Sequence, residues 1–240
     1  MLLRQAVVAS IVFAVSLPAA AKEINNIGGL TQDEFHRMTQ DLGAALSYKP
    51  LTPAEPLGLF GFDIGVAATD TKIKNTDVFT KVGAGDISDI AVPSLRLNLG
   101  LPFGIDVGAM AGEAPGTNIR LYGGEIRWAF IKGSTTMPAI ALRGSYTQLA
   151  GVDQLDFNTK GVDLSISKGF AMFTPYGGIG KVWVTSTPKN IPTATPSEES
   201  LSQNKYFVGV NMNLVLINVV IEGDKTGDAT SYGLKLGFRF

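Results

Sequence analysis

From Leu59 to the end of the chain, apolar and polar residues alternate with a period of two, in runs separated by turn-forming residues. In "LFGFDIGVAAT", Phe60, Phe62, Ile64 and Val66 share one face while Gly61, Asp63 and Gly65 share the other. Successive side chains of a strand point to opposite faces, so this alternation predicts strands with one apolar side. The pattern recurs in "VPSLRLNLG", "IDVGAMAG", "RLYGGEIRWAFI", "AIALRGSYTQ", "TKGVDLSISKG", "KYFVGVNMNLVL", "INVVIEGD" and "SYGLKLGFRF". In "MFTPYGGIGKVWVTS", Ile179 and Trp183 fall on the parity opposite to Tyr176, Val182 and Val184, which predicts a bulge or glycine bend. About ten strands result, or twelve if "TDVFTKV" pairs as a hairpin of its own.

Ahead of the strands the period is helical. In "TQDEFHRMTQDLGAAL", Thr31 and Glu34 have capping-box spacing, and Phe35, Met38, Leu42 and Ala45 recur on one face, predicting a short amphipathic helix over about 31–46. In "YKPLTPAEPLG", Pro50, Pro53 and Pro56 end the helix and predict an extended linker. The first segment has a basic Arg4, a short apolar run, and small residues at Ala19 and Ala21. That is the pattern of a secretory signal, with cleavage expected between Ala21 and Lys22. The domain organisation expected is a signal peptide over 1–21, a helix and Pro-rich linker over 22–57, periplasmic or plugging a lumen, and a barrel over 58–240.

Composition sharpens this picture. The chain is 45% hydrophobic, yet after the first segment no stretch of eighteen or so apolar residues remains for a membrane helix. A membrane barrel reconciles the two by spreading its apolar residues over alternate positions of many strands. The fold class expected is all-β, a transmembrane antiparallel up-and-down β-barrel. Short connections near 100–104, 132–136, 168–171 and 217–218 should alternate with long polar loops over 72–90 and 186–203. Twenty basic and 21 acidic residues nearly cancel, which gives no electrostatic case for nucleic acid. There is no cysteine and only one histidine, His36, so neither a transition-metal set nor another cofactor site is expected. His36 precedes the barrel and is expected away from the surface loops, which argues against an enzyme. The loop acids Asp86, Asp89, Glu198 and Glu199 read as solvated, or as gathering a calcium ion or bridging lipopolysaccharide through divalent cations.

The ending "YGLKLGFRF" resembles the C-terminal signature of Gram-negative, proteobacterial outer-membrane β-barrel proteins, in which a final strand with a terminal Phe is read by the barrel-assembly machinery. The resemblance implies that Tyr232, Leu234, Leu236, Phe238 and Phe240 form an assembly signal. It also implies periplasmic chaperones and the assembly machinery as partners, and outer-membrane lipid and lipopolysaccharide as surroundings.

On the polar face of the strands the ionic residues are Asp63, Arg96, Asp106, Glu125, Arg127, Arg143, Asp163, Lys205, Glu222, Lys235 and Arg239. Facing a narrow lumen, they either pair across it and hold it shut or line a path for a small solute. In the path reading, Arg127 and Arg143 are the best-placed cations and the helix is a gate. The function expected is thus a narrow or gated channel for small solutes, with a structural or surface-interaction barrel acting through its loops as the alternative.

Overall fold

The computed structural model describes residues 24–192 and 196–240. The signal-peptide reading lies outside these residues, as do positions 22 and 23. Ten strands run in sequence order: β1 (Phe62–Lys72), β2 (Asp89–Leu101), β3 (Ile105–Glu113), β4 (Arg120–Lys132), β5 (Ala139–Ala150), β6 (Leu155–Ser167), β7 (Phe173–Pro188), β8 (Glu199–Leu214), β9 (Ile217–Thr226) and β10 (Ala229–Arg239). Each pairs antiparallel with the next, and β10 returns to β1 with Ile64 opposite Phe238, giving a closed up-and-down barrel. Closure leaves no strand edge unpaired, which a sheet in lipid requires.

The segment expected as an extra hairpin is instead a short helix, α2 (Thr76–Lys81), within the β1–β2 loop. It buries Val78 and Phe79, so ten strands stand and not twelve. Nor does β7 bulge: its register with β6 and β8 is continuous, with Tyr176, Val182 and Val184 inside and Ile179 and Trp183 outside. The parity conflict arises because this strand is apolar on both faces. A register shift does occur in the β4–β5 pairing, between Trp128 and Ile131. The long loop expected over 186–203 contracts to 189–198, because β7 and β8 extend further as one hairpin.

The outer wall is apolar around the barrel, with Val66, Leu97, Ile126, Leu142, Leu164, Ile179, Val208, Ile221 and Leu236 all exposed. Water does not tolerate a continuous belt of this kind; a bilayer does. Four tight connections gather at one end with Phe62 and Phe240, the turn end. The β1–β2 and β7–β8 loops mark the other, the loop end.

The lumen is occupied by the protein's own N-terminal segment. Ile24 sits at the loop end, where the Asn118 side chain accepts its amide at 3.3 Å, and the Ile27 amide donates to Gln154 at 2.9 Å. After a 3-10 turn over Ile27–Gly29, the helix α1 (Gln32–Leu46) descends into the barrel. Its start is fixed by a complete capping box between Thr31 and Glu34. The extended linker then crosses the rest of the lumen and emerges at the turn end, where the Phe60 amide bonds Gly100 and the chain enters β1.

Candidate functional site

Two kinds of packing hold this plug. In the loop-end half, α1 presents Phe35, Met38, Leu42 and Leu46, all fully buried, to inward side chains that include Ile90, Val92, Leu121, Leu149, Phe157, Val182 and Val184. An amphipathic helix needs an apolar surface to cover its stripe, and here the inside of the barrel supplies it. Gly43 lets the helix approach β7 and β8 closely: a Cβ there would come within 2.7 Å of Val184 and 2.8 Å of Gln203. The Leu46 carbonyl, free at the end of the helix, accepts from Thr147 at 2.9 Å.

In the turn-end half the wall is ionic and the plug is an extended chain. An extended segment makes no hydrogen bonds of its own, so its buried amides and carbonyls must find partners in the wall. Cations take the carbonyls: Lys205 donates to Tyr48 (2.6 Å), Arg96 to Lys49 (2.7 Å) and Arg127 to Pro53 (2.7 Å). Anions and a hydroxyl take the amides: Leu51 donates to Glu222 (2.9 Å), Leu57 to Asp106 (3.2 Å) and Glu55 to Ser167 (3.1 Å). The three linker prolines reduce the number of amide donors to be matched.

The same charges pair among themselves. Arg127 bonds Asp106, Lys49 of the linker bonds Asp224, Arg143 meets Glu125 at 2.6 Å, and Lys235 meets Asp63 at 2.7 Å. Asp163 lies between Lys205 (3.5 Å) and Arg143 (3.8 Å). Glu222 also accepts from the Tyr176 hydroxyl at 2.7 Å, and the Arg96 guanidinium stacks over the Tyr48 ring. Ten of the eleven ionic residues singled out from the sequence are therefore buried in the lumen. Arg239 is half-buried at the turn-end mouth. Arg127 and Arg143, opposite each other in the β4–β5 register, both donate to the Thr52 hydroxyl, at 2.7 and 3.1 Å. Neither faces an open path.

The apolar inward residues of the loop-end half depart from the polar-inside alternation that marks the ionic residues. The signal that could have found them was the stripe on α1, which demands a covering surface of its own size.

No family model matches the chain, and neither does any curated protein. Among solved structures it is similar to the N-terminal β-barrel domain of OprF from Pseudomonas aeruginosa (14% identity over 76% of this chain and 99% of that one, TM-score 0.39). It is also similar to Ail, the attachment invasion locus protein of Yersinia pestis (14%, 76% and 99%, 0.32), and to the outer-membrane protease OmpT of Escherichia coli (11%, 75% and 96%, 0.37).

At the loop end the helix meets the surface loops. Arg37 bridges Asp33 and Asp77, each at 3.2 Å, while Asp41 accepts the amides of Lys74 (3.1 Å) and Asn75 (2.8 Å). His36 is here too, contrary to its expected place away from the loops. Its Nδ1 lies 3.0 Å from Glu199, and its Nε2 lies 3.0 Å from the Gln40 amide. The reason is the direction of threading: the chain enters the lumen from the loop end, so residues before the barrel in sequence lie beyond it in space. Of the loop acids, Glu199 also accepts from Gln32, Glu198 from Thr187, and Asp89 from Ser88. Among the described residues no cluster of His, Asp and Glu is placed to hold a metal ion.

Beside the helix the wall dips. The β9–β10 connection is only a tight turn at Gly227 and Asp228, whereas β8 continues past it to Glu199. The dip opens a polar notch of 530 Å3 lined by Arg37, Gln40, Lys74, Asn204, Tyr206 and Lys225, among others.

Proposed function

We propose that this protein is an outer-membrane barrel kept closed by its own N-terminal segment, acting through the face at its loop end and not by conducting solutes. The observation that carries this reading is the buried apolar face of α1. Burying four side chains of this size contributes about 6–12 kcal/mol in gross terms, before ordering costs, and a gate that must leave the lumen would have to give that up. The linker adds a second lock, because pulling it out would break its bonds to Lys205, Arg96, Arg127 and Glu222 together. The narrow channel expected from the sequence finds less support, since the charges that would line its path are bonded to one another and to the plug. Glu199 of β8 and Gln40 of the helix give His36 a partner at both ring nitrogens, which favours a positional role tying the helix to the wall over that of a catalytic base.

The test is planar-bilayer recording of the refolded mature protein. We expect a silent membrane across ordinary voltages, in a sample whose barrel folding is verified by heat-modifiable electrophoretic mobility. Regular unitary steps from that sample would overturn the closed-barrel reading and return the lumen arginines to the centre of attention.

A further inference from the structure

Three depressions in the surface converge on one residue, Tyr206. The first is the polar notch, lined by Arg37, Lys74 and Lys225, by the acids Asp41 and Asp228, and by the amides Gln40, Gln203 and Asn204. The second runs below it on the outer wall between β8 and β9, past Val208 and Gly223. The third lies on the other side of Tyr206, across β5 to β8, with Leu142, Val162, Leu164 and Ile179 below and Lys181, Trp183 and Asn204 above. A polar, amide-rich head region with three cations to two acids thus sits over two apolar channels, which is the outline of a branched amphiphile.

On this wall the outward acid of β6, Asp156, is taken up by Lys189 at 2.6 Å. Lys160, Lys181 and Lys225 all point outward from adjacent or near-adjacent strands and are exposed. Among the described residues none of the three forms an ion pair, whereas Lys49, Lys205 and Lys235 inside the barrel all do. An outward lysine in the middle of a bilayer is costly, and the cost falls toward the interface, where the amphipathic rings of Trp and Tyr also settle. Trp183 and Tyr206 bracket Lys181 at that level. A cation in the headgroup layer without a protein carboxylate is complemented by a phosphate. Gly223 leaves its channel open, since a Cβ there would meet nothing within 4 Å.

We propose that the β6–β9 wall is a binding site for a phosphorylated, multiply acylated glycolipid of the outer leaflet. Its phosphate sits among Lys74, Lys181 and Lys225, its sugar hydroxyls face the amides of the notch, and its acyl chains lie on either side of Tyr206. This rests on the reading of the loop end as the working face and names what that face holds. Its failure is separable from that of the closed-barrel reading, because lipid retention and conductance are independent measurements.

The experiment is native mass spectrometry of the full mature protein in detergent, titrated with diphosphoryl hexa-acyl lipid A or with dioleoyl phosphatidylcholine. Folding is checked by heat-modifiable mobility. We expect one lipid A to be retained preferentially, with retention lowered on the order of a hundredfold in the K74Q/K181Q/K225Q variant, as about one decade or less per lost cation would give. A K132Q variant, altered at the turn end, should match the parent. Gly223→Trp fills one apolar channel without touching a charge and should weaken retention of the six-chain lipid as well. Equal retention of phosphatidylcholine, or retention unchanged in the triple variant, overturns the proposal. If the triple variant fails to fold, the Gly223→Trp protein decides the matter by the same comparison.

Discussion

Arg127 holds three partners at once: Asp106 of β3, the Thr52 hydroxyl and the Pro53 carbonyl. Burial makes each bond depend on the others, because a removed partner leaves the rest without water to replace it. Arg127→Met should cost about 3–5 kcal/mol in urea unfolding, most of it from the stranded Asp106 carboxylate. Adding Asp106→Asn should recover part of that loss, and a single-variant loss below about 1 kcal/mol would contradict the assigned network. At the mouth, Glu34 is a residue with a pH signature. A hydrogen bond from Lys81, followed by the Thr31 amide, holds its carboxyl at about 2, below the ordinary 4.5. A carboxyl depressed on folding contributes stability above its unfolded value and loses it as pH falls toward its folded one. The melting-temperature difference between parent and Glu34→Gln should therefore be full above about pH 5, shrink from there down, and vanish near pH 2. A difference that stayed constant across that range would disprove the role of the ionised side chain.

Among the elements, α1 has the most at stake. Phe35→Ala, which empties a fully buried site, should destabilise by about 3–5 kcal/mol. Gly43→Ala should cost about 1–3 kcal/mol for the opposite reason, since its new methyl meets Val184 and Gln203 with nowhere to go. Both are measured by denaturant midpoint, and a stabilised Gly43→Ala protein would show the helix less tightly seated than described. The strands were legible in the sequence because a period of two survives any twist or closure, and the capping box at Thr31 and Glu34 is purely local. What lay beyond local pattern was the relation between elements. The apolar face of α1 and the doubly apolar β7 each looked anomalous alone, one lacking a cover and the other seeming to need a bulge. Val182 and Val184 packing with α1 resolves both at once. "TDVFTKV" was ambiguous for a different reason: a short apolar run carries too few residues to separate a strand from one turn of helix.

For the whole molecule, the direction of the plug places the start of the described chain beyond the loop end of the barrel, against Asn118 and Gln154. The chain has no cysteine, so an introduced thiol is unique. Asn26→Cys, at an exposed position, should be labelled on intact cells by a membrane-impermeant maleimide; labelling only after lysis would reverse the orientation. The topology also carries an order of events. The barrel is a covalently open ring whose seam is the β1–β10 pairing, and the plug is a thread lying through it that leads directly into β1. Pairing of β10 with β1 closes the ring around residues 24–57, and the strand that completes the seam locks that thread in.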